Sequence, residues 1–148
     1  MKKVFYVLFA SDNYPQRINI VLLILRITVG LFMLSHGAGK FSKLFGDKPI
    51  MFADPIGVGV EGSLALAVFA EVFCSVLLLV GFGTRLATIP LIITMLVAVL
   101  YVHVADPFAK QEMALHYLLA YALLLISGSG KYSVDYLIHA KQHRASFA

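Results

Sequence analysis

LLILRITVGLFML, residues 22–34, is an apolar run with one arginine, Arg26, at its centre. Its residues favour a helix, and extended on both sides it reads from about Ile18 to Gly39, long enough to cross a bilayer. A guanidinium inside such a segment costs at least ~2.5–3.5 kcal/mol on insertion scales, so something must compensate it. Three further blocks share the apolar character: about 62–83, which contains Glu71; 86–105, with His103 as its only basic or acidic residue; and 113–130, with only His116. No block alternates polar and apolar residues, which argues for helices and against a membrane barrel.

Composition agrees. The chain has 148 residues, 60% of them hydrophobic and 14% charged; soluble domains carry about 25% charged residues. The net charge of +4 is spread between apolar blocks rather than gathered on one face, which argues against nucleic acid. The single Cys74 excludes an internal disulfide or a cysteine metal cluster. The expected architecture is one all-α domain over residues 1–148, a four-helix transmembrane bundle in the lipid bilayer. Lys2, Lys3, Arg17, Arg85, Lys131, Lys141 and Arg144 fall on one side, and Lys40, Lys43, Lys48 and Lys110 on the other. The surplus places both termini in the cytoplasm. MKKVFYVLFASDNYPQR at the start and KYSVDYLIHAKQHR near the end read as short interfacial helices, the first resembling a retained signal-like segment.

Two motifs fail on context. GVGVEG, residues 57–62, has the letters of a dinucleotide fingerprint, yet a proline-bearing loop precedes it where a strand is required. Gly39-Lys40 and Gly130-Lys131 lack both the upstream glycine and the following Ser or Thr of a phosphate loop.

Arg26 finds a partner in Glu71 of the second block. From one membrane face Arg26 lies ~12 Å deep and Glu71 ~17 Å, an offset a long side chain can span. Gly30, Met33, Gly37 and Lys40 share a stripe with Arg26, while Ser63, Ala67, Ala70 and Cys74 form a small-residue seam beside Glu71. Small residues let membrane helices approach closely. The pair either locks two helices in register or anchors a polar ligand or proton.

A second cluster gathers at the opposite depth. His36 and His103 lie ~27 and ~26 Å from the cytoplasmic face. His116, Tyr117 and Tyr121 on the fourth block join them as a candidate outer mouth, with Glu61 and Glu112 at the same level. No pair of ligands sits at metal spacing on one helix, so no metal is expected; a polar ligand site or interfacial anchoring fits these residues.

Arg26-x-x-x-Gly30, His36-Gly37-x-x-Lys40, Glu71 followed by LLLVGFGTRLA, and the closing GSGKYSVDYLI, taken in order, resemble the DoxX family of small membrane proteins. Cys74-Ser75 departs from the glycines often found there. The resemblance implies a four-helix, multi-pass protein of a bacterial cytoplasmic (inner) membrane, with Arg26, Lys40, Glu71 and Arg85 at the family's polar positions. It also implies a subunit of a quinone- or thiol-linked redox complex, binding a lipophilic redox molecule and serving a partner oxidoreductase. The residues themselves identify no catalytic group and no nicotinamide, flavin or iron–sulfur site. Two alternatives stay open: a non-catalytic scaffold or assembly factor, and a small proton-coupled transporter acting as a homo-oligomer.

Overall fold

The computed structural model describes residues 14–145, with side chains to residue 140. The proposed interfacial segment at residues 1–13 lies outside the described residues, as do the side chains of Lys141 and Arg144. All regular structure among the described residues is helical, in five helices. They are α1 (Gln16–Leu44), α2 (Val60–Val80), α3 (Thr84–Val102), α4 (Phe108–Ser127) and α5 (Val134–Ala145).

Helices α1, α2 and α3 are each long and apolar enough to cross a membrane. The sequence predicts a fourth span. Helix α4 has 20 residues, but Lys110, Gln111, Glu112 and His116 fill its first half and keep it less apolar than the others. Large apolar side chains such as Val21, Ile24, Phe32, Ile93, Leu100, Leu119 and Ile126 are exposed around the helices. Contiguous exposed apolar surface of this kind suits a hydrocarbon solvent. Inside, Leu22, Val29, Met33, Leu78, Leu91, Met95, Tyr121 and Leu124 form one core.

Helices α1 and α2 run antiparallel, as do α3 and α4, and their turns are chemically specified. Gly81, with φ +70°, ends α2. Its N–H donates to Leu78 O at 3.1 Å and Phe82 N–H to Leu77 O at 3.0 Å, the paired bonds of a glycine C-cap. Two residues on, the buried Asp135 carboxylate accepts from Gly83 N at 2.7 Å and Thr84 N at 3.1 Å, capping α3 from the far end of the sequence. Pro90 lies inside α3, where it removes one intrahelical donor.

The seam between α1 and α2 follows the expected small-residue pattern. A side chain on Gly30 would meet Leu79 at 2.9 Å, and one on Gly37 would meet Val72 at 2.7 Å and the Glu71 backbone at 3.0 Å. Ser63, Ala67, Ala70 and Cys74 are buried opposite. Helix α2 carries a π-helical turn over Phe69–Cys74, so Glu71 sits on a locally widened backbone. Such single turns are enriched at functional sites.

Candidate functional site: an ion pair in the wall of an apolar cavity

Arg26 and Glu71 do not meet. Arg26 is 2% exposed, and its guanidinium donates to the main-chain carbonyls of Ser129 at 2.6 Å and Tyr132 at 2.5 Å. It lies against Gly81, where an added methyl would sit 2.8 Å from its Cζ. Asp135 supplies the nearby negative charge. Both Ser129 and Asp135 come from GSGKYSVD, the segment leading into α5. Helix α1 overshoots α2 at this end, so equal counts from the helix ends do not bring the two charges to one depth. Its first two turns pack on the α4–α5 connection instead, where buried Asn19 accepts from Lys131 N at 2.8 Å. Arg26 therefore lies level with Gly81, and Gly37, eleven positions later, lies level with Glu71. Helical side chains lean toward the N-terminus, which carries the guanidinium further from Glu71.

Glu71 pairs instead with Lys40, from the Gly37 end of α1. The Lys40 ammonium donates to Oε1. Oε2 is buried without a hydrogen-bond partner, as are Ser75 Oγ, one turn further on, and Tyr121 Oη. The carboxylate is 2% exposed and the lysine 30%. The four expected centre residues thus split: Lys40 and Glu71 form one centre, while Arg26 and Arg85 lie at the other end. Arg85 Nη2 donates to Ile126 O at 3.2 Å.

Lys40 and Glu71 line a cavity of about 800 Å³ bounded by α1 to α4 and the residue 52–56 loop. Its walls are largely apolar, with Met33, Phe52, Leu66, Ile93, Met95 and Met113 among them. Of the expected mouth residues, His36, His103 and Tyr117 reach it. The His36 and Tyr117 rings meet edge to face at 5.9 Å, and Tyr117 stacks on Tyr121 at 5.9 Å. Tyr121 lies behind the wall, fully buried. His116 does not join them: it is exposed, and its ring Nδ1 bonds Glu112 O at 2.8 Å. Glu61 and Glu112 are also exposed and lie off the cavity. Among the described residues, no three His, Cys, Asp or Glu side chains converge as a metal site would need.

Several residues that organise the site were not singled out from the sequence. Asp106 holds His103 Nδ1 at 2.8 Å and Lys110 Nζ at 3.1 Å. These partners keep its carboxyl below the usual carboxylate range, the His103 bond foremost. Asp54 accepts from Ser63 Oγ at 2.6 Å, Gly59 N at 2.9 Å and Val58 N at 3.0 Å, and the Ser63 bond leads in holding it low. The first half of GVGVEG, residues 57–59, is thus a loop wrapped on a carboxylate, with Gly57 and Gly59 at positive φ, and its second half opens α2. The signal for Asp106 was legible as His103-x-x-Asp106; nothing local marked Asp54.

The family model described as DoxX matches residues 21–104. An uncharacterized protein of Haemophilus influenzae is 32% identical over 118 residues, covering 75% of this chain and 85% of the relative. No solved structure matches the chain.

Proposed function

The chain belongs to the DoxX family and is a multi-pass membrane protein, and from that premise we propose that its cavity binds a lipophilic redox molecule on behalf of a partner oxidoreductase. Helix α4 is the fourth crossing in this reading, completing a four-helix bundle in the cytoplasmic membrane. Both termini then face the cytoplasm, as the distribution of lysine and arginine favours. The Arg26 end is the cytoplasmic one and the cavity lies toward the outside.

One observation carries the reading. A buried carboxylate and its ammonium partner stand in the wall of an otherwise apolar cavity of about 800 Å³, with Glu71 Oε2 lacking a donor. Ligand sites combine apolar walls with a few placed polar groups. A quinone fits that description, with an apolar body and a polar head. When bound, a quinone would carry electrons and protons between the bilayer and the partner. This chain's part is to seat the body against the apolar walls and to hold the head at Lys40 and Glu71.

The test is extraction. The protein is purified in mild detergent and its bound lipids are analysed for quinone, alongside Glu71→Gln. Quinone retained by the unaltered protein and reduced in the variant supports the reading. Absence of quinone from both, with a partner oxidoreductase unaffected by Glu71→Gln, removes it. Orientation is checked separately by membrane-impermeant thiol labelling of Lys48→Cys and Lys131→Cys in a Cys74→Ser background; only the first should react from outside intact cells.

A further inference from the structure

Glu71 and Lys40 together carry no net charge, so their cavity does not call for a charged ligand. What the pair lacks is a donor. An ionised carboxylate offers about four lone-pair sites, and Lys40 satisfies one oxygen while Oε2 has no partner. The hydroxyls of Ser75 and Tyr121 are buried nearby in α2 and α4 without reaching it. Glu71 lines the cavity, and a donor carried there by a ligand can complete it. The last torsion of a glutamate is soft and the lysine stem is flexible, so carboxylate and ammonium can turn together toward an incoming headgroup. Lys40 has N–H bonds to spare and can donate to the same incoming atom. An oxygen that both donates and accepts is a hydroxyl. The edge-to-face rings of His36 and Tyr117 beside it favour an aromatic carrier.

We propose that the Glu71–Lys40 pair selects the hydroxyl-bearing, reduced form of a lipophilic aromatic redox molecule over its carbonyl form. Glu71 accepts from the headgroup hydroxyl and Lys40 donates to it. This rests on the function proposed above. It adds which redox form the site holds more tightly: a carbonyl oxygen can accept from Lys40 but offers Glu71 no proton, whereas a hydroxyl satisfies both.

The experiment is calorimetric titration of the full chain in detergent with three probes sharing one decyl tail. They are a hydroquinone kept anaerobic, its quinone, and its dimethyl ether. One charge-assisted hydrogen bond predicts that the hydroquinone binds about tenfold more tightly than either other probe. Glu71→Gln, confirmed to elute as a single species, should lose that preference, because the amide donates as well as accepts. Quinone or dimethyl ether binding as tightly as hydroquinone to the unaltered chain overturns the inference while leaving the cavity's role standing. Failure of all three to bind overturns the proposed function itself. The three-probe comparison needs no variant, so misfolding of Glu71→Gln does not blunt it.

Discussion

Arg26 spends its guanidinium on two main-chain carbonyls, and that choice governs what its removal does. Arg26→Leu leaves the Ser129 and Tyr132 carbonyls without their buried donor, which should cost about 2–4 kcal/mol. Adding Glu71→Leu should not rescue it. The two substitutions touch different ends of the molecule, so their effects on thermal unfolding in detergent should add. A double variant more stable than the sum of the two single effects allows would mean that the two charges do meet. The residues were legible: an arginine in an apolar helix announces a buried polar contact, and Glu71 announces another. Their pairing was not: the main-chain carbonyls that hold Arg26 carry no sequence signal, and Lys40, although on the same stripe, is matched to Glu71 only by how the helices slide.

At the scale of elements, glycines on one helix have opposite roles. Gly37 sits where α1 meets the Glu71 turn of α2, with Val72 2.7 Å from an added side chain, whereas nothing lies within 4 Å of one on Gly39. Gly37→Ala should destabilise by about 1–3 kcal/mol through overpacking. Gly39→Ala should be neutral or stabilise by up to about 1 kcal/mol through helix propensity. Thermal melts of the two variants, side by side, check both. The α3 cap is equally testable: Asp135→Ala removes the carboxylate from Gly83 and Thr84 and should cost about 1–2 kcal/mol. The loops make a pH prediction. Asp54 and Asp106 are both held below the usual carboxylate range in the folded protein. Each therefore binds protons more weakly folded than unfolded. Their stabilisation is complete above about pH 4 and is lost as pH falls through the lower folded values. Melting temperature measured downward from pH 6 should decline below about pH 4, and Asp54→Asn should flatten part of that decline. The small-residue seam and the glycine turns were readable from composition and spacing. The Asp135 cap was not, since it joins positions more than fifty residues apart.

For the whole molecule, the decisive feature is the apolar cavity beside Glu71. Ala67 lies in its wall and is nearly buried. Ala67→Leu should fill part of the cavity and abolish retention of any co-purifying lipophilic molecule, at a cost of about 1–3 kcal/mol from overpacking the α1–α2 seam. Retention unchanged in that variant would place the ligand elsewhere. Sequence alone determined the class: apolar blocks of helical character, too few charges for a soluble domain, and the stripe of Gly30 and Gly37 where helices close. These are local properties, set by side-chain hydrophobicity and size at fixed spacing. Only the tertiary structure decided which charges are neighbours. Helices slide past one another by whole turns at little local cost, and their depths depend on where each begins and on what its end packs against. Here the first two turns of α1 pack on the α4–α5 connection, so Arg26 lies level with Gly81, and Glu71 falls to Lys40 at the cavity.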